Sequence, residues 1–186
     1  MSGVAPTARR IHILGASGTG TTTLGRAVAA RLGLFHADAD DYFWLPSDPP
    51  YIAIRPPTER LARLLRDLPS AGGWALSGSA IGWAKPLEPL YDLIVYLGLD
   101  PDIRMQRLRA RERERHGARI APGGDMAQAH AAFMTWAAAY DTAGAEQRSH
   151  SSHTAWLATQ AAPVLRLDGA ESTNALAAAV ITALAG

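Results

Sequence analysis

The sequence predicts a three-layer α/β/α domain built around a five-stranded, mostly parallel sheet. Five short apolar segments of strand type alternate with segments of helical spacing along the 186 residues. The chain is 48% hydrophobic and 19% charged, which suffices to bury one sizeable core. No internal repeat or low-complexity linker divides it. We therefore expect residues 1–186 to form a single domain.

The first unit is a strand, a glycine-rich loop and a helix. Residues 1–8 are small and polar, and we expect a disordered tail there. Residues 10–14 are a short apolar run of strand type, which the glycines of residues 15–20 end. Residues 22–32 have apolar positions at helical spacing, and Gly33 stands where a helix C-cap is expected.

The second unit begins with a strand over residues 34–37. The acidic and aromatic segment that follows contains several prolines, which predict irregular structure through much of it. Long loops of this kind often carry function. The remaining elements are expected over residues 58–68 (helix), 74–76 (strand), 92–97 (strand), 101–116 (helix), 125–140 (helix), 151–159 (helix), 163–167 (strand) and 172–184 (helix).

The composition narrows the class of protein. The net charge of +1 argues against overall attraction to nucleic acid or to an anionic membrane. The absence of cysteine excludes disulfides and thiolate metal sites. No apolar run approaches the roughly 20 residues of a membrane span, and the N-terminus does not resemble a secretory signal. We expect a cytoplasmic protein without a nucleic-acid or membrane partner, either a monomer or a homodimer.

The segment GASGTGTT has the form of a phosphate-binding loop, GxxxxGK[ST], with threonine in place of the lysine. In such loops backbone N–H groups and a helix N-terminus surround the phosphates, and the last hydroxyl binds Mg²⁺. Here Thr22 stands at the hydroxyl position and Thr21 at the lysine position. The predicted nucleotide-binding residues are Gly15, Ala16, Ser17, Gly18, Thr19, Gly20, Thr21 and Thr22.

Two other interpretations of this loop stay open. One is an ordinary tight turn between a strand and a helix. The other is a dinucleotide-binding turn, with Asp38 about 20 residues after the loop holding a ribose. The GxGxxG spacing is absent, which weakens the second interpretation.

Two carboxylates follow the second predicted strand. In a parallel sheet, Asp38 and Asp40 would lie at the same carboxyl edge as the glycine loop. A carboxylate there can orient the water ligands of Mg²⁺ or accept a proton from an attacking hydroxyl. A solvated loop with a helix-capping aspartate is the alternative.

Seven arginines lie between residues 104 and 119, and glycines follow them. This pattern suggests a lid whose positive charge stabilises a transferring phosphoryl group. Arg107 and Arg111 share one face of the predicted helix. A solvated helix laced by weak ion pairs, or a helix that binds RNA, is the alternative.

Weaker candidates lie elsewhere. The motif HSSH at residues 150–153 predicts a surface helix end better than a zinc site, because no cysteine or acid adjoins it. Ser77 and Ser79 close the third strand at the same sheet edge, where hydroxyls can contact a substrate.

Taken together, the motifs GASGTGTT, DAD at residues 38–40 and RMQRLRARERERHG resemble adenylate kinase-like P-loop small-molecule kinases, such as nucleoside monophosphate, shikimate and gluconate kinases. More closely, they are similar to a bacterial group of such proteins of uncharacterised function. The resemblance implies a P-loop NTPase fold with a helical lid over residues 101–125 and an acceptor-side region over residues 38–70.

The resemblance also implies ATP, Mg²⁺ and a small-molecule acceptor. It gives Thr22 and Asp38 to the metal, and Asp40 to catalysis and to the acceptor, with Asp38, Arg107 and Arg111 assisting catalysis. Arg55 and Ser79 become acceptor contacts. Thr21 departs from the family pattern, so another cation, from an arginine or from Lys85, must complete the site of an active kinase. The alternative is a nucleotide-binding regulator without turnover.

Overall fold

The computed structural model describes residues 9–185 and confirms the predicted α/β class. Its strands are β1 (Arg10–Gly15), β2 (Phe35–Asp38), β3 (Trp74–Ser77), β4 (Leu93–Gly98) and β5 (Val164–Asp168). Its helices are α1 (Thr21–Leu32), α2 (Ala39–Phe43), α3 (Pro57–Asp67), α4 (Pro101–His116), α5 (Ala127–Ala138), α6 (His150–Leu157) and α7 (Thr173–Ala185). The tail expected over residues 1–8 lies outside the described part of the chain.

The strands form one parallel sheet in the order β2-β3-β1-β4-β5. The central strand β1 pairs with β3 on one side and with β4 on the other, so Ile13 lies between Ser77 and Val95. The chain leaves β1 toward β2 and later crosses β1 between β3 and β4. Ligands of open parallel sheets bind at such a reversal of strand order, outside the carboxyl ends of the strands.

Helices cover both faces of the sheet. On one face α1 and α7 pack on the central strands through side chains such as Leu24, Val28 and Val180. On the other face α3 and α6 pack through Leu64 and Leu157. The three inner strands, β3, β1 and β4, are buried on both faces, which explains their mostly apolar sequences.

Helices α4 and α5 form a smaller unit over the carboxyl edge of the sheet. Met105 and Leu108 of α4 pack against Ala137 of α5. The Arg104 side chain is only 1% exposed, and it donates to the carboxylate of Asp141 at 2.7 Å and to the carbonyl of Ala137 at 2.9 Å. Arg104 thus joins α4 to the end of α5. Its buried guanidinium group is not available to a ligand.

The structure adds detail to two local predictions. The segment after β2 contains one short helix, α2, before its irregular part, and Asp38 caps this helix by accepting a hydrogen bond from the Asp40 N–H at 3.1 Å. The motif HSSH does begin α6, but His153 is buried and its Nδ1 forms a 2.8 Å hydrogen bond with the Tyr140 hydroxyl. Burial lowers the pKa of His153 to about 3.

Within residues 9–185, no helix is long and apolar enough to cross a membrane.

We expect acid to destabilise the protein through His12, which is fully buried in β1. Its Nε2 lies 3.0 Å from the Gly78 carbonyl oxygen, and burial lowers its pKa to about 4. In the unfolded chain this histidine has a pKa near 6.5 and binds the proton more readily. The contribution of neutral His12 to the free energy of unfolding is therefore fully present above pH 6.5 and is lost as the pH drops toward 4. Between pH 7 and 5 the loss from this group is about 2 kcal/mol.

Urea unfolding of wild type and His12→Gln at both pH values measures this term. The His12→Gln variant should lose about 2 kcal/mol less than wild type between pH 7 and 5. Equal losses in wild type and His12→Gln would contradict the assignment.

Candidate functional site

The loop after β1 presents backbone N–H groups at the carboxyl edge of the sheet. Both the N–H and the hydroxyl of Thr19 donate to the Ala16 carbonyl, at 3.2 and 2.9 Å, which closes the loop on itself. Gly20, with φ of 98°, precedes α1 and provides no side-chain cap. The first N–H groups of a helix have no partner within the helix. The start of α1 is therefore suited to bind an anion.

Close packing surrounds this loop and requires glycine at two positions. A Cβ atom on Gly18 would lie 2.8 Å from the carbonyl oxygen of Arg104 in α4, and Gly18 has φ of +93°. A Cβ atom on Gly169, in the turn after β5, would lie 2.9 Å from the Thr19 carbonyl oxygen. The loop is thus held between α4 and the β5–α7 turn.

The carboxylates of Asp38 and Asp40 lie at the same edge of the sheet. Asp38 ends β2 in register with Ser77 of β3, next to β1. Asp40 follows in α2. Burial and the charge of Asp38 raise the pKa of Asp40, whereas Arg148 and Arg111 act in the opposite direction. Asp40 is therefore influenced by two other carboxylates, those of Asp38 and Asp41, and by two guanidinium groups.

Thr22 and Asp38, the two residues predicted to bind a metal ion, lie on different elements, α1 and β2. A Cβ on Gly25 of α1 would meet the His36 ring at 2.8 Å, so α1 crosses over β2 at that point. Asp38 lies on the same face of β2 as His36, about 7 Å further toward the carboxyl edge. Thr22 precedes Gly25 by about one helical turn, in the same direction. Thr22 and Asp38 therefore both lie toward the carboxyl edge of the sheet, beyond the point where α1 crosses β2.

Arg148 contacts the loop directly, and sequence reasoning missed it. Its Nη2 donates to the Ser17 hydroxyl at 2.7 Å. The contact joins residues 131 positions apart, so no local signal in the sequence could have identified it. Lys85, the other cation considered from the sequence, is exposed at the start of the 3₁₀ helix Lys85–Leu90.

The two arginines predicted for catalysis lie at different sides of the loop. Arg111 affects Asp40 electrostatically and donates to the Glu112 carboxylate at 3.0 Å. Arg107 donates to the Gly169 carbonyl at 2.7 Å, beside Thr19. The structure therefore brings Arg111 toward the carboxylates and Arg107 toward the β5–α7 turn.

Arg55 and Ser79 were predicted to contact an acceptor. The buried Arg55 guanidinium donates from Nε to the Tyr42 carbonyl at 3.0 Å and from Nη2 to the Trp44 carbonyl at 3.1 Å. Two of its three nitrogens thus bind the segment between α2 and α3 together, a structural role that the sequence did not reveal. Ser79 is half-buried just after β3, at the carboxyl edge as expected.

The segment after α4 contacts the segment between α2 and α3. Arg119 Nη2 forms ion pairs with Asp48 at 2.7 Å and with Asp125 at 2.6 Å. The predicted lid and acceptor-side regions therefore meet across the carboxyl edge of the sheet.

A cavity of about 230 Å³ adjoins the loop at Ala16 and Thr19.

The fold and the loop together define the class: this is the P-loop kinase fold. The chain resembles a gluconokinase from Sinorhizobium meliloti 1021, with a TM-score of 0.54 and 14% identity, over 95% of this chain and 91% of the gluconokinase. An uncharacterized protein from Eubacterium ventriosum ATCC 27560 aligns with a TM-score of 0.50 and 10% identity, over 96% of this chain and 98% of the other. At these identities the likeness concerns the fold alone.

Sequence similarity places the chain more narrowly. It is 42% identical to the uncharacterized protein YqaC of Bacillus subtilis (strain 168) over 166 residues, which are 89% of this chain and 92% of YqaC. The chain belongs to the YqaC family. No family profile matches it.

Proposed function

We propose that this protein binds ATP with Mg²⁺ and transfers the γ-phosphoryl group to a hydroxyl or phosphate group of a small molecule. One observation carries the proposal: an uncapped helix N-terminus with its glycine loop faces two carboxylates and a guanidinium group at one edge of the sheet. The P-loop kinase fold supports it, since a relative in that fold is named a gluconokinase.

The loop from Gly15 to Thr22 holds the phosphates of the nucleotide in this proposal. Its N–H groups and the start of α1 donate hydrogen bonds to phosphate oxygens. Gly18 and Gly20 have φ values of 93° and 98°, which let consecutive N–H groups turn toward one point. Each of the eight residues contributes backbone, and Thr22 adds its hydroxyl.

The donors near the loop fit Mg²⁺, although they cannot enclose it. Within residues 9–185 no three acidic or histidine side chains are grouped to hold a metal ion. Mg²⁺ commonly binds through one or two protein oxygens together with water and phosphate oxygens. Thr22 and Asp38 would supply the protein oxygens. Bound there, the ion would neutralise charge on the β- and γ-phosphates.

Asp40 acts as the general base in the proposed reaction. It accepts the proton of the acceptor hydroxyl while that oxygen bonds to the γ-phosphorus, the bond to the bridging oxygen breaks, and ADP leaves. A pKa above the usual range for aspartate favours acceptance of this proton. Arg111 stabilises negative charge near Asp40, Arg107 does so on the nucleotide side, and Asp38 orients the reacting groups.

The regions around the loop divide the remaining tasks within a single domain. Residues 38–70 cover the acceptor, and Ser79 and the remaining nitrogen of Arg55 contact it. Residues 101–125 form the lid, whose Arg119 is paired with Asp48 of the acceptor-side region. Closure of such a lid excludes water from the transferring phosphoryl group.

We expect ATP to raise the melting temperature only when Mg²⁺ is present. A ligand at 100 times its Kd stabilises the folded state by about 2.7 kcal/mol, or roughly 5–10 °C for a domain of this size. Thr22→Ala should remove most of the Mg²⁺-dependent part, because the hydroxyl is a proposed metal ligand. The neighbouring exposed Thr23 is the matched control, and Thr23→Ala should keep the full shift. No shift in wild type at millimolar ATP would refute nucleotide binding.

Phosphotransfer from labelled ATP to metabolite pools distinguishes a kinase from a nucleotide-binding regulator. A labelled product other than inorganic phosphate establishes the kinase. A clear ATP-dependent rise in melting temperature without any labelled product establishes the regulator.

A further inference from the structure

Hydrogen bonds of the neighbouring residue hold Arg148 in place beside the phosphate loop. Ser149, the next residue, caps α6 with a reciprocal pair of hydrogen bonds to Ser152, at 2.8 and 3.0 Å. The Ser149 hydroxyl also donates to the Gly144 carbonyl at 2.6 Å. These bonds hold the backbone at Arg148, so the start of its side chain has little freedom.

Two neighbours hold the guanidinium group itself. Its central carbon lies 4.7 Å from the centroid of the Trp136 ring, a cation–π distance. Its Nη2 donates to the Ser17 hydroxyl at 2.7 Å. Burial lowers the pKa of Arg148, and the nearby Asp40 carboxylate acts in the opposite direction. Even so, arginine stays protonated in proteins.

The geometry points to Arg148 as the cation that replaces the lysine expected at position 21 of the phosphate loop. Ser17 lies inside the eight-residue loop, and Asp40 stands on the acceptor side. A guanidinium group that is bonded to Ser17 lies beside the phosphates that the loop would hold. Among the described residues, Ser17 accepts from one of the five N–H donors of the Arg148 guanidinium group. Two of the remaining donors suffice for a bidentate contact to a phosphate group.

The inference rests on the proposed function for its place in phosphoryl transfer, whereas the affinity of the loop for phosphate does not depend on that function.

An exchange of charge between positions 148 and 21 tests the inference. The variants are Arg148→Gln, Thr21→Lys and the double variant. The control is Arg31→Gln, which also removes one arginine, but one that bonds Asn174 on α7 and does not contact the loop. Calorimetric titration with inorganic tripolyphosphate and with ATP–Mg²⁺ measures binding. Arg148→Gln should weaken both about tenfold. The double variant should recover binding to within about threefold of wild type, and Arg31→Gln should leave it unchanged.

Recovery by the double variant distinguishes a phosphate contact from a merely structural one, since a lysine at position 21 cannot replace the Arg148–Ser17 and Trp136 contacts. Unchanged binding in Arg148→Gln, or a folded double variant that stays as weak as Arg148→Gln, overturns the inference. The proposed kinase function fails separately, when wild type binds tripolyphosphate but neither binds ATP–Mg²⁺ nor transfers a phosphoryl group. Wild type that does not bind tripolyphosphate at all overturns the inference as well.

Discussion

Asp40→Asn is expected to lower kcat for phosphoryl transfer about 1000-fold, the usual effect of losing a general base. The amide keeps the size of the side chain but cannot accept the proton of the acceptor hydroxyl. ATP binding should not weaken and should tighten slightly, because Asp40 no longer offsets the charge of Arg148. Steady-state kinetics with the acceptor found by labelling, together with calorimetric titration of ATP–Mg²⁺, measure the two effects.

The matched control for this variant is Asp41→Asn. Asp41 is exposed in the same short helix and carries the same charge, so its replacement should change kcat less than about threefold. Wild-type kcat should also fall as pH drops through the pKa of Asp40, which lies above the usual range for aspartate. A kcat for Asp40→Asn within tenfold of wild type would exclude Asp40 as the base.

Gly18→Ala is expected to destabilise the protein by about 3 kcal/mol and to abolish tight nucleotide binding. The added Cβ would lie 2.8 Å from the Arg104 carbonyl oxygen, and the residue has φ of +93°. The strained backbone costs about 1–2 kcal/mol, and overpacking against α4 adds about 1–3 kcal/mol. The melting temperature should fall by roughly 10 °C.

The control for this variant separates backbone strain from packing. Gly33, the C-cap of α1, also has positive φ, at +65°, but a Cβ there would meet nothing within 4 Å. Gly33→Ala should cost only about 1 kcal/mol and leave nucleotide binding intact. Equal losses of stability in Gly18→Ala and Gly33→Ala would show that the loop is not packed tightly against α4.

Local chemistry made much of the fold predictable. The strand, glycine loop and helix over residues 10–33 follow from an apolar run, from glycines whose φ proves positive, and from helical spacing. Asp38 and Asp40 were expected at the carboxyl edge because they follow a strand of a parallel sheet, and β2 ends at Asp38. The cap formed by Asp38 was considered as an alternative, yet α2 itself was not predicted.

The roles of individual arginines were not predictable in the same way. Arg104 is buried in an ion pair, Arg107 reaches the β5–α7 turn, and Arg55 holds its own segment together. Sequence spacing can assign two arginines to one helical face. It cannot tell which face meets the loop, because that depends on how α4 packs against α5 and the sheet.

The sequence by itself determined the class of fold, the glycine-rich loop and the edge of the sheet where the acidic residues gather. Each of these depends on residues within a few positions of one another, through backbone conformation, caps and periodicity. Tertiary structure alone decided which cation reaches the loop. The 17 arginines are chemically alike, and packing of α5 and α6 brings Arg148 to Ser17 across 131 positions of the chain.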